Sequence, residues 1–382
     1  MRKEVFINKV AKYLPNDPVS IDQIEKRLGL IGDKPSRAKS IILRQNRIKT
    51  RHYAVDESGS RFTHTNAQLT ANAIRGLFET NEYSLNNIQL LCCGSTSPDQ
   101  MLPPHASMVH GELPDAPVME IMTANGGCCS SSNAMKYGYM SVLSGSTSNA
   151  ICTGSELLSP LLAAKNFNAE YEKLEKLEQN PIIAFEKDFL RFMLSDGAGA
   201  CLMCDTPNKN SISLKIEWIE SISYANELKT CMYQGAEKDS NGDLISWKTL
   251  ESKEWLDKSI FSFKQDVRHL ENYAIKKSVQ HVVDSLAKNN IKSEEIDFIL
   301  PHISSMYFYD KLKNGLAEAG APFSDEKWFI NLPEVGNVGS ASIYLMLEQI
   351  FNSGNLKPGQ KLFTYNPESA RFSYSVALLT VV

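Results

Sequence analysis

Two adjacent thiols, Cys128 and Cys129, stand between a glycine pair, Gly126-Gly127, and a serine run, Ser130-Ser131-Ser132. Pro117 to Met122 reads as a short strand before them, and Ala134, Met135, Tyr139, Val142 and Leu143 recur at helical spacing after them. Backbone N–H groups at a helix start carry partial positive charge, which lowers a thiol's pKa and can hold an oxyanion. A tight strand-to-helix turn also projects its side chain outward, so this is a setting for a nucleophile. The plain alternative is that both cysteines are small apolar residues filling space. From Ile121 to Ser155 the only charged side chain is Lys136, which places strand, turn and helix in the core.

An internal repeat supplies two further candidates. A helix ending near Phe78 leads to Ser84-Leu85-Asn86-Asn87-Ile88, and one ending near Ala287 leads to Ser293-Glu294-Glu295-Ile296-Asp297, an offset of 208. Ser144-Gly145 corresponds to Ser353-Gly354 at an offset of 209, which sets Cys128 against Asn337 at equivalent helix starts. Counting back from Ser144-Gly145 without a gap selects Cys128 over Cys129. His302 follows the apolar run Ile296 to Leu300 and Pro301, at the carboxyl end of a strand, where open α/β sheets bind ligands. Alone it reads as a structural histidine; with Cys128 and Asn337 on equivalent loops it reads as functional.

The elements that must hold these groups are strands alternating with helices in two like halves, 1–206 and 207–382, divided at Asp205 to Asn210. Such duplication implies mostly parallel sheets covered on both faces. Glu4 to Leu14 reads as an edge strand, Ser20 caps a short helix over Ile21 to Leu28, and Leu270, Ala274, Val279, Val283 and Leu286 mark the inner face of a long helix. Residues 169–178 read as a charged surface helix and 227–257 as a polar surface insertion. Cys201 and Cys204 have the C-x-x-C spacing, but no second pair or histidine completes a metal site, so a buried strand is the plain reading. No metal or cofactor is expected.

Composition narrows the class. A net charge of -4 argues against nucleic acid as a main partner. No apolar run approaches a membrane span and no secretory signal opens the chain, so a cytoplasmic protein with no membrane partner is expected, and eight cysteines fit reduced thiols there. From Lys34 to Arg51 seven basic residues, Arg44 among them, meet no acid: a solvated face or a rim for an acidic partner. Lys311 and Lys313 carry the same two readings.

With these residues in hand, the chain resembles the thiolase-fold condensing enzymes of the β-ketoacyl-acyl-carrier-protein synthase III type. The resemblance runs through Tyr13-Leu14-Pro15, Arg44 to His52, Gly154-Ser155-Glu156-Leu157-Leu158, Ser195 to Ala200, Leu300-Pro301-His302, Gly336-Asn337 and Lys357-Pro358-Gly359-Gln360. It implies an α/β thiolase fold with a layered αβαβα architecture and a catalytic trio of Cys128, His302 and Asn337. It further implies oxyanion or pocket positions at Cys129, Ala370 and Ser305, carrier contacts at Arg44, Lys311 and Lys313, and a homodimer whose Leu102-Pro103 loop reaches the partner's pocket. Departures are also legible. Ser40 and Pro160 stand where coenzyme A binders tend to carry tryptophan and arginine, Ile303-Ser304-Ser305 replaces the usual Gln-Ala-Asn, and Glu368-Ser369-Ala370-Arg371-Phe372 replaces a glycine-rich stretch.

These departures are most similar to the ketosynthases of bacterial dialkylresorcinol and stilbene pathways, which join a β-ketoacyl carrier-protein thioester to an α,β-unsaturated acyl thioester and close a cyclohexane-1,3-dione. Rival classes are a fatty-acid-initiating synthase, an acyltransferase to oxygen or nitrogen on the same scaffold, and a non-catalytic partner subunit. A papain-like hydrolase shares the Cys, His, Asn order but lacks its cysteine signature here.

Overall fold

Apolar residues run almost without interruption through most strands of this chain, the pattern expected when both faces of a sheet are covered. The structure, a computed structural model, describes residues 3–31, 35–36, 38–80, 82–167 and 188–382. Nine strands form the main sheet: β1 (Phe6–Tyr13), β2 (Leu90–Ser95), β3 (Glu120–Asn125), β4 (Asn149–Glu156), β5 (Gly197–Cys204), β6 (Leu214–Ser223), β7 (Phe298–Pro301), β8 (Lys361–Glu368) and β9 (Ser373–Val381). Their order is β7-β8-β9-β6-β1-β5-β4-β2-β3. The two ends meet at β1 and β6 through only two register pairs, Phe6 with Lys215 and Ile7 with Leu214.

Side-chain alternation assigns the layers. Leu90, Cys92, Ala150, Cys152, Cys201 and Met203 point inward, as do Ile216, Leu362, Ala377 and Leu379 from the other end of the sheet. Between them lie helices α2 (Ser130–Ser144) and α5 (Ser342–Phe351), contributing Ala134, Met135, Val142, Ile343, Tyr344 and Leu347 to the same core. The alternate residues Leu91, Cys93, Ile151 and Leu202 face outward onto helix α1 (Asn66–Gly76). At the other end Ile299, Phe363, Val376 and Leu378 face α3 (Val267–Lys288) and α4 (Tyr307–Glu318). The result is the αβαβα order of the thiolase fold.

Local chemistry starts and stops these helices. Thr65 caps α1 by accepting the Gln68 N–H, and Asp266 caps α3 by accepting that of His269. Both central helices run into a left-handed glycine, Gly145 (φ 80°) after α2 and Gly354 (φ 73°) beyond α5. Gly94 allows α2 to press on β2: a Cβ there would lie 2.5 Å from the Ser131 backbone.

Several expectations need correction. Glu4 to Leu14 is not an edge strand; β1 is interior, paired with β5 and β6, and its alternation is loose because both of its faces are covered. The sheet is not mostly parallel, since five of its eight strand pairings are antiparallel: β8 and β9 form a hairpin, and β1 and β6 run against their neighbours. The strand before the cysteines begins three residues later than read and forms an outer edge, with Val118 fully exposed just before it. Nor is the uncharged run around it all core, because Tyr137 and Met140 of α2 are exposed.

The stretch expected as a surface insertion, 227–257, carries short strands outside the main sheet, Ala236–Lys238 paired with Leu244–Ser246 and Met232–Tyr233 paired with Lys264–Gln265, and a Trp247, Trp255 and Phe261 cluster. The charged stretch 169–178 lies outside the described residues. Among the described residues no helix is long and apolar enough to cross a membrane, and no group of side chains is arranged to hold a metal ion.

Candidate active site

The turn between β3 and α2 brings Cys128 and Cys129 to different places. Cys128 lines a cavity of about 560 Å³, counting its open mouth, together with His302, Glu368, Ser278, Tyr365 and Tyr374. Leu270, Ala274, Ile275, Phe308 and Leu312 from α3 and α4 make its apolar wall. Cys129 is buried behind the turn, its thiol donating to the carbonyls of Asn366 at 3.1 Å and Ser373 at 3.5 Å. Consecutive residues entering a helix point about 100° apart, so only one of the pair can face the cavity.

The backbone under Cys128 is fixed from the opposite half of the chain. The Asn366 amide nitrogen donates to the Cys128 carbonyl and to the Ser132 hydroxyl, each at 2.8 Å. His302 leaves the end of β7 and its backbone N–H donates to the Tyr365 carbonyl at 2.7 Å, which seats the ring beside β8. Asn337 is buried at the matching turn before α5. Its side-chain oxygen accepts the Gly339 N–H at 2.9 Å, which leaves the amide nitrogen as the donor. Asn337 is not among the described residues lining the cavity.

The charge pattern departs from the expectation of a lowered thiol. Burial pushes the Cys128 thiol up, with Glu368 and Glu156 raising it further; only its own backbone N–H acts the other way. A helix start therefore does not suffice here, because two carboxyls oppose it. Burial lowers His302 to about 4, so its imidazole is neutral near pH 7. Glu368 is also raised by burial, against N–H donors at Cys129 and Gly127. Its Oε2 accepts the Cys129 N–H at 3.2 Å.

Comparison with known proteins gives one family match, described as 3-oxoacyl-[acyl-carrier-protein] synthase III C terminal, over residues 286–367. A curated relative, the β-ketoacyl-[acyl-carrier-protein] synthase III of Clostridium perfringens, is 27% identical over 317 residues, 82% of each chain. Among solved structures, AbyA1, a tetronic acid condensing enzyme, superposes with a TM-score of 0.74 at 18% identity, covering 98% of this chain and 99% of that one. The 3-oxoacyl-[acyl-carrier-protein] synthase III of Aquifex aeolicus VF5 gives 0.69 at 18% identity, covering 99% of both chains. The chain has the thiolase fold and is similar to the β-ketoacyl-acyl-carrier-protein synthase III condensing enzymes.

The remaining expected positions fall away from the cavity. Ser305 is buried, its hydroxyl accepting the Tyr307 N–H at 3.3 Å at the start of α4, and Ser304 lines the cavity instead. Ala370 is not among the lining residues; its carbonyl accepts the N–H groups of Cys231 and Met232. Leu102 is 83% exposed and Arg44 is exposed. Lys311 pairs with Glu271 at 3.0 Å and lies over the Tyr307 ring, while Lys313 pairs with Asp325. Arg51 leaves the basic rim altogether: it is buried, donating to the Phe192 carbonyl at 3.1 Å. Lys34 and Arg37 lie outside the described residues.

Sequence reasoning passed over Glu368 as a cavity residue. The signal was an acid standing in a stretch expected to be glycine-rich. Glu156 was quoted only as part of a motif. In the fold it is buried and joins the halves, accepting the Ser97 hydroxyl at 2.6 Å and the Ser340 N–H at 3.0 Å.

Proposed function

We propose that this condensing enzyme joins a β-ketoacyl carrier-protein thioester to an α,β-unsaturated, cinnamoyl-type acyl thioester and yields a cyclohexane-1,3-dione. The observation that carries the reading is the shared chamber: a thiol and a neutral imidazole face one cavity that opens to solvent and has an apolar wall. Cys128 attacks the first thioester, and the Cys128 N–H holds the tetrahedral oxyanion, such a donor being worth about 3 kcal/mol of barrier. The carrier thiol leaves and an acyl-enzyme remains. His302 and Asn337 then donate to the enolate oxygen of the second thioester, whose carbon displaces the cysteine sulfur. Both donors suit that task, His302 because it is uncharged and Asn337 because the Gly339 N–H occupies its oxygen. Ser40 and Pro160 favour carrier-protein thioesters over coenzyme A.

The same reading includes a homodimer. Among the described residues the β3 edge has no strand partner beyond β2, Val118 is exposed just before it and Tyr137 is exposed against its Glu120, and Leu102 and Met140 are also exposed. Such an edge calls for cover.

Incubation with β-ketoacyl and cinnamoyl-type carrier thioesters, followed by product mass, tests the function. A cyclised condensation product supports it; recovery of both acids, or transfer to oxygen or nitrogen only, sinks it. A second reading, chain initiation with a malonyl carrier thioester, is favoured by the curated relatives' name, and carbon dioxide release with a linear β-ketoacyl product would establish it.

A further inference from the structure

The proposed reaction leaves one chemical need without a residue. A malonyl unit generates its carbanion by losing carbon dioxide, whereas a β-ketoacyl thioester must lose a proton from the carbon between its two carbonyls. A base is required beside Cys128. Resting on the two-thioester condensation proposed above, we infer that Glu368 is that base, a further catalytic residue supplied by the β8–β9 hairpin.

Geometry selects it. Glu368 lies at the last position of β8, paired in register with Ser373, and its side chain turns into the cavity that Cys128 and His302 line. It packs against the nucleophile turn so closely that a Cβ on Gly127 would lie 2.6 Å from its Cγ and Cδ. The N–H groups of Gly127 and Cys129 aim the carboxyl, and among the described residues no cation pairs with it. Glu368 thus accepts the amides on either side of Cys128. Burial supports the assignment, since a carboxylate deprived of water binds a proton more firmly than one in solvent. His302 is the weaker candidate because burial pushes its basicity down. A carboxylate at this place also repels the free carboxylate of a malonyl unit, which biases the pocket toward substrates without one.

The step balances. Glu368 takes the α-proton, and the electron pair of that C–H bond becomes the enolate. The enolate carbon forms a bond to the acyl carbonyl carbon, and the bond from that carbon to the Cys128 sulfur breaks. The departing thiolate recovers the proton from Glu368, which restores the resting pair.

The test compares wild type with Glu368→Gln, an isosteric change that keeps an acceptor for the Cys129 N–H. Two readouts are followed: condensation of the two thioesters, and deuterium uptake from D₂O at the α-carbon of a β-ketoacyl pantetheine thioester above the buffer rate. Condensation should fall about 100-fold or more and uptake should drop to the buffer rate, while intact mass still detects acylation of Cys128. Glu368→Asp should recover part of both. Condensation or uptake within about threefold of wild type in Glu368→Gln overturns the assignment, since a general base contributes far more than that. Absence of uptake above buffer by wild type overturns it equally. If wild type makes no product from the two thioesters, the condensation reading fails on its own, and the uptake comparison still decides Glu368. Should Glu368→Gln not fold, Glu368→Asp decides, because shortening the side chain by a methylene must slow uptake if the carboxylate is the base.

Discussion

The Ser131 hydroxyl donates to the Ser340 carbonyl at 2.5 Å, and the two residues are 209 positions apart, the interval that relates Cys128 to Asn337. Residues equivalent by the repeat touch each other, so the two helix starts meet where the halves of the fold meet. Around this contact the Tyr344 hydroxyl donates to the Ser131 carbonyl at 3.3 Å, and Gly154 leaves room for both, since a Cβ there would lie 2.5 Å from the Ser340 oxygen. The contact predicts that Ser131→Ala destabilises the fold by about 1–3 kcal/mol, because a buried carbonyl loses its donor. Urea denaturation of the two proteins checks this, and an unchanged midpoint would show the junction to be held elsewhere.

Cys128 and Cys129 should separate cleanly in acylation. Cys128→Ala is expected to abolish the covalent acyl adduct seen by intact mass, whereas Cys129→Ala should keep it, at a stability loss of about 1 kcal/mol from the missing buried thiol. An adduct that survives in Cys128→Ala and disappears in Cys129→Ala would reverse the assignment.

Glu368 raises the Cys128 thiol, so removing its charge must shift that thiol toward the thiolate. Alkylation of Cys128 by iodoacetamide at pH 8 should therefore run severalfold faster in Glu368→Gln than in wild type, with the site read by peptide mapping. A slower reaction would contradict the electrostatic picture.

His281, buried on α3 against the Tyr374 ring, is lowered to about 4 chiefly by burial. Its folded value lies below its unfolded one, so between pH 6.5 and 4 the unfolded chain binds a proton that the folded chain refuses, and stability falls as pH falls. From pH 7 to pH 5 this contributes a loss of about 2 kcal/mol, which His281→Leu should remove from the pH dependence of the urea midpoint. The other titrating groups are common to both proteins and cancel in the comparison. Equal pH slopes in the two proteins would exclude the linkage.

The uncovered β3 edge predicts a dimer of a 42.6 kDa chain by light scattering. Met140→Glu, which sets a charge on an exposed apolar position of α2, should shift the mass toward the monomer. A wild-type monomer at micromolar concentration would remove the homodimer from the proposal.

The repeat was legible because duplication leaves its trace in order and spacing, which local sequence retains. The markers at Ile88 and Ile296 and at Gly145 and Gly354 suffice to align the halves, and both glycines have left-handed φ, Gly145 as the cap of its helix and Gly354 two residues past the cap of the other. The nucleophile turn was legible for the same reason, since strand, glycine turn and helix are local features. The interior place of β1 was not, because a strand's neighbours depend on residues some 200 positions away, Cys204 and Lys215 beside Phe6. Ser305 was misplaced for a related reason: which of two adjacent serines faces the cavity depends on where α4 begins.

By itself the sequence determined the duplicated α/β architecture, the candidate thiol, imidazole and carboxamide, and an acid where glycine was expected, all of which are matters of residue type and interval. Only the tertiary structure decided that Cys128 rather than Cys129 faces the chamber, that Glu368 stands beside it, and that the thiol is raised rather than lowered. Electrostatics and exposure are properties of what surrounds a group in space, and here the decisive neighbour of the turn at 127–129 comes from a hairpin about 240 residues downstream.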